Sequence, residues 1–200
     1  MLRPNYAMDP PPTKLQVGGG FYQINTDYRA WLEVLRLMKD ITADTQDPQL
    51  QQKTIDAVER MQEIIFGGIL ADEDINDVLS AIFEFSKGYP GPPVNGEPED
   101  GPARFSFDYD LNYIIIAIRN QSGIDLSYRR KEPFHWWEFL LEFNTLAGDH
   151  YILNLMDARG YKGKDKDALR RKRMYALPVE YTAAEQAEID AFNAMFEEGF

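Results

Sequence analysis

Phe134–Gly148 reads FHWWEFLLEFNTLAG, and this stretch decides the fold. Pro133 stands just ahead of it, where a first helical turn tolerates proline. Phe134, Trp137, Leu140, Leu141 and Asn144 form one stripe at helical spacing. Trp136, Phe139, Phe143 and Leu146 form another. A helix that is apolar nearly all round lies inside a core. The stretch therefore predicts a mainly α protein with this helix at its centre, Trp136, Trp137, Phe139 and Phe143 buried in it. Asp125 is expected to cap or orient the turn that precedes the helix.

Helical patterns continue on both sides. Downstream, a short helix is predicted over His150–Arg159 and a basic one from about Asp165 to Ala176, which Pro178 breaks. Thr182 then begins a last helix, with Glu185 at the capping-box position. Upstream, Asp108 or Asp110 is expected to cap a helix through Arg119 that buries Tyr113, Ile114, Ala117 and Ile118 and stops at Gly123. Asp72–Ser86 reads as a helix with Ile75, Val78, Leu79, Ile82 and Phe83 inward. A further helix starts at Asp47–Pro48, buries Leu50, Ile55 or Thr54, Val58, Met61 and Ile65, and ends at Gly67–Gly68. Before it, Asn25 or Thr26 caps a helix whose apolar face is Tyr28, Trp31, Leu32, Leu35 and Met38. TKLQVGGGFYQI alternates apolar and polar residues on either side of three glycines and reads as a β-hairpin.

The clearest break is GYPGPPVNGEPEDGPA over 88–103, where five prolines and four glycines exclude a helix or strand. The expected organisation is a disordered 1–13, a helical domain over 14–178 with a linker or long loop at 88–103, and an acidic amphipathic C-terminal helix over 179–200. The fold class is mainly α, a helical protein with a small N-terminal β-hairpin and a Pro/Gly-rich central loop.

Composition narrows the function. The 200 residues carry 33 acids and 21 Lys plus Arg, a net charge of -12. A general nucleic-acid binder needs a basic field instead. The absence of cysteine removes disulfides, zinc–thiolate sites and thiol catalysis. No apolar run reaches the roughly 18–20 residues that span a bilayer, and the N-terminus lacks the apolar stretch of a secretory signal. A soluble intracellular protein is expected, with neither membrane nor nucleic acid as partner.

The chemistry-bearing residues are few. His135 and His150 are the only histidines. Without cysteine and without a His-Glu-x-x-His spacing they form a thin ligand set, and they read as a packed His135 and an exposed or capping His150. The glycine run 18–20 lacks the Gly-Lys-Ser/Thr of a phosphate loop. Acid clusters such as Asp72–Asp77 read as solvated helix starts. No catalytic residue, metal ligand or cofactor is expected. Two segments stand out as partner-binding. Between Lys162 and Arg173 seven cations face two acids, and Lys162, Arg170, Arg171 and Arg173 are its candidate contacts. The plain alternative is a solvated helix whose cations pair with acidic neighbours. In YTAAEQAEIDAFNAMFEEGF, Ile189, Phe192, Met195 and Phe196 share one helical sector, suited to docking in the chain's own body or in a partner's groove.

Two quoted stretches carry a resemblance. LQVGGGFYQINTDYRAWLEVLRLMKD (15–40) and FSFDYDLNYIIIAIRNQSGIDLSYRRKEPFHWWEFLLEFNTLAGD (105–149) resemble the siphophage tail assembly chaperones, bacteriophage proteins encoded just before the tape-measure protein. The Gly-Ile-Asp-Leu and His-Trp-Trp-x-Phe pair is the specific part, and the likeness spans about 14–178. It implies a protein that binds the tape-measure protein, keeps it soluble and assists tail-tube polymerisation, with the tape-measure and tail-tube proteins as partners. It implies no catalytic residue, work in the host cell cytoplasm during assembly, and absence from the mature virion. A second copy of the chain is a further candidate partner. A structural head–tail connector or tail completion protein is the alternative function. A metal enzyme built on the two histidines and a nucleic-acid regulator built on Lys162–Arg173 are more distant ones.

Overall fold

The computed structural model describes residues 6–41, 46–91, 103–179 and 185. Among the described residues there are seven α-helices and one two-stranded antiparallel sheet, so the protein is mainly α. No helix among them is long and apolar enough to cross a membrane. Within the stretch expected as one helical domain, the residues cluster into two compact units. One is Pro11–Lys87. The other is Gly88–Pro178 together with the N-terminal residues to Pro10.

The first unit opens with β1 (Lys14–Val17) and β2 (Gly20–Gln23), joined through Gly18 at a φ of +52°. Leu15 pairs with Tyr22 and Val17 with Gly20, so the inward positions of both strands fall on one face. Val17 is buried there, and Phe21 on the opposite face is 69% exposed. The strand β1 packs on α3 (Ile75–Ser86), and α1 (Tyr28–Met38) packs on α2 (Pro48–Phe66). α2 starts and ends as its sequence dictates. Asp47 caps it through the Gln49 amide at 2.8 Å, and Gly67 closes it in the left-handed conformation. The cap of α1 lies at Asp27 rather than at Asn25 or Thr26. Asn25 is occupied one step earlier: its side-chain Oδ1 accepts the Asp27 amide at 3.1 Å, while its backbone N–H donates to the Ile65 carbonyl at 2.7 Å and its backbone carbonyl accepts the Trp31 indole N–H at 2.8 Å.

The inward face of α3 differs from the one expected. Val78, Ile82 and Phe85 are buried, whereas Ile75 and Phe83 are 43% and 55% exposed. The helix is apolar over most of its circumference, so spacing alone could not choose the face. Phe85 wins because its ring lies 4.5 Å from that of Trp31, while Phe83 lies under the Lys87 ammonium, also at 4.5 Å. Phe83→Ser is therefore expected to change stability by less than about 1 kcal/mol in thermal unfolding. Ile55 of α2 is likewise exposed and Thr54 half-buried, the second of the two options for that face.

The second unit contains α4 (Phe107–Ser122), α5 (Trp136–Asn144), α6 (Tyr151–Gly160) and α7 (Lys166–Met174). α4 packs on α5 and α6, and α6 packs on α7. Trp136, Trp137, Phe139 and Phe143 are buried, as the apolar stripes require. Phe107 lies 5.8–6.1 Å from the rings of Trp136, Phe139 and Phe143, and Phe105 lies 4.8 Å from Phe143. These are edge or tilted contacts of the kind aromatic rings prefer. The Gly/Pro-rich break begins as packed chain. Gly88 takes φ +75° where a side chain would meet Leu140, and the Tyr89 ring lies 4.9 Å from Trp137. Tyr6, inside the segment expected to be disordered, lies edge-on to Tyr89 at 5.5 Å.

Candidate partner-binding surface

Helix α4 has two lives. Ser106, not Asp108 or Asp110, caps it, accepting from the Asp108 amide at 3.2 Å. Asp110 is turned inward and is 2% exposed, where its carboxylate meets the guanidinium of Arg159 on α6 through bonds of 2.6 and 3.1 Å. The same carboxylate accepts the Ser106 amide at 2.9 Å. Arg159 also donates to the carbonyls of Tyr175 at 2.7 Å and Arg104 at 3.1 Å. One buried guanidinium thereby ties the start of α4, the end of α6 and the residue that closes α7.

The other side of α4 faces water. Tyr109, Tyr113 and Ile116, at i, i+4 and i+7, are 50%, 42% and 45% exposed. Tyr113 was expected in the core; it lies outside because Asp110, Ile114, Ala117 and Ile118 already fill the inward arc. Tyr151 at the start of α6 extends the stripe, its ring 4.9 Å from that of Tyr113. Beyond Tyr151 a cleft of about 400 Å³ runs between α6 and α7, with Leu155, Ala158 and Ala168 as apolar lining and Arg171 and Tyr175 from α7.

The basic helix is built as the sequence suggests. Asp165 caps it through the Ala168 amide at 2.8 Å, and the Lys172 ammonium donates to the Tyr161 carbonyl at 2.8 Å. Lys162, Arg170, Arg171 and Arg173 are all exposed. Among the described residues no carboxylate forms an ion pair with Arg170, Arg171 or Arg173. Ile189, Phe192, Met195 and Phe196 lie outside the described residues.

The signature residues have structural tasks. Gly123 ends α4 in the left-handed conformation, and Leu126 is buried. Asp125 accepts the Ser127 amide at 3.0 Å, and this bond holds its carboxyl below the usual carboxylate range. His135 is the N-cap of α5, its Nδ1 accepting the Trp137 amide at 3.0 Å. His150 occupies the N-cap position of α6 without a side-chain bond to that helix. Among the described residues no three His, Asp or Glu side chains are grouped to hold a metal ion.

No curated protein and no solved structure matches the chain. Residues 9–182 match the family described as Bacteriophage Gp15 protein. With most of its length inside that match, the chain belongs to the bacteriophage Gp15 family and is a phage structural or morphogenesis protein.

Proposed function

We propose that this protein is a tail assembly chaperone that binds the tape-measure protein, keeps it soluble and assists tail-tube polymerisation around it. The observation that carries the reading is the exposed stripe Tyr109–Tyr113–Ile116, extended by Tyr151. A contiguous exposed apolar patch marks an interaction site more often than chance. Its spacing suits the apolar face of a long helix lying along α4. A client made of such helices aggregates when unassembled, and a cover with a net charge of -12 keeps the complex in solution.

The test is co-expression of the full chain with a tape-measure fragment. Wild type is expected to raise the soluble fragment severalfold. The combined variant Tyr109→Ser, Tyr113→Ser, Ile116→Ser is expected to lose most of that gain. Each position is largely exposed, so thermal unfolding should shift modestly, by about 1 kcal/mol or less per site, most of it at Tyr113 through its lost contact with Tyr151. Equal recovery by wild type and variant overturns the assignment of the stripe. Mass spectrometry of purified particles supplies the second arm. A stoichiometric band of this chain would replace the chaperone by a structural connector or tail completion protein.

A further inference from the structure

Helix α7 presents a second surface, distinct from the stripe on α4. Ala168, Arg171 and Tyr175 line the cleft toward α6, and Lys172 is held by the Tyr161 carbonyl. These contacts fix which side of α7 looks outward. On that side stand Lys166, Arg170 and Arg173, at i, i+4 and i+7, all exposed. Leu169 and Met174 flank them, 36% and 62% exposed. Of the acids in the run, Asp165 is engaged at the helix cap. Arg170 and Arg173 form no ion pair with a carboxylate among the described residues.

We propose that this outer face of α7 docks an acidic amphipathic helix of a partner protein. Carboxylates at i, i+4 and i+7 of the partner meet Lys166, Arg170 and Arg173, and apolar side chains beside them cover Leu169 and Met174. Three cations along one line match a helix of the same rise, which gives register as well as attraction. Arginine adds a planar fork that fits carboxylate. The proposal deepens the chaperone reading by naming the charge of one client or assembly partner. It uses a different surface, so the two stand or fall separately.

The test uses the full chain and a fluorescent synthetic helix of about 18 residues, long enough to be helical in water. Its face carries glutamates at i, i+4 and i+7 flanked by leucines, and a twin carries lysines instead. The acidic helix is expected to bind at least about tenfold tighter than its twin by anisotropy, with an affinity that falls as salt rises. Arg170→Glu with Arg173→Glu should reverse the preference, so that the lysine twin now binds better. Lys14→Glu with Lys131→Glu makes the same change in net charge away from α7 and should leave binding as it was. Equal binding of both helices, no binding, or equal loss in the control pair would overturn the proposal. Tighter binding of a single-stranded oligothymidine than of the acidic helix would also overturn it, in favour of nucleic acid. None of these outcomes alters the co-expression result, which reads the Tyr109–Ile116 stripe.

Discussion

Arg159→Leu is expected to lower the unfolding free energy of the second unit by about 3–5 kcal/mol, read as a lower midpoint in urea at neutral pH. Arg159 is 8% exposed and Asp110 2% exposed. Removing the guanidinium leaves a carboxylate deep in the unit with only the Ser106 amide to satisfy it. It also removes the bonds to the carbonyls of Arg104 and Tyr175. A buried charge without its partner is among the costliest defects a single substitution makes, against a total stability of about 5–15 kcal/mol for a typical domain. Arg159→Lys keeps the charge but not the fork, so it should fall between wild type and leucine. Asp110→Leu combined with Arg159→Leu should recover much of the loss, because two apolar groups of similar volume need no partners. A single-variant loss below about 1 kcal/mol would show that water reaches the carboxylate. The pair also has a consequence for binding. Its bond to the Tyr175 carbonyl sits one residue beyond the end of α7, so the leucine variant should lose amide-exchange protection first in α7, and with it the ordered cation line.

Four helix-end signals were legible in the sequence because they are local, whereas the caps of α1 and α4 fall one or more residues from those expected. Asp47–Pro48, Gly67, Gly123 and Asp165 each act within one turn of themselves, and each stands where it was read. Faces were harder. α3 is apolar on most sides, and Phe85 is chosen over Phe83 by a tryptophan 54 positions earlier in the chain. Asp110 is the sharper case. An aspartate in the first turn of a helix reads as a solvated charge complementing the dipole. Its partner Arg159 is 49 residues away, and no local pattern announces it. The same holds for the candidate surface. The cation run was visible as charge density, and the structure adds which cations share an outward line. The Tyr109–Tyr113–Ile116 spacing was also present in the sequence. Of the three only Tyr113 is expected in the core from its spacing, and the filled inward arc of α4 turns it outward.

Trp31→Ala is expected to cost the first unit about 3–5 kcal/mol, the range for deleting a large buried aromatic side chain. Trp31 is 0% exposed and stands against Phe85 of α3 at 4.5 Å. Its indole N–H donates to the Asn25 carbonyl at 2.8 Å, and the Asn25 amide donates in turn to the Ile65 carbonyl. One side chain thus joins α1 to α3 and steadies the connection from the hairpin onto the end of α2. The alanine variant loses the ring contact, opens a cavity and gives up the bond to the Asn25 carbonyl at once. Trp31→Phe separates these effects. It keeps a smaller aromatic ring and removes the indole N–H, so its cost should be about 1–3 kcal/mol, one lost hydrogen bond to a part-buried carbonyl plus a repacking defect. Phe85→Leu in the Trp31→Ala background should cost less than it does alone, since the ring it would have met is already gone. Additive losses in that cycle would mean that the two rings are energetically independent despite their 4.5 Å separation. The core of the first unit would then be held by the aliphatic contacts of Val34, Met61 and Ile82 instead.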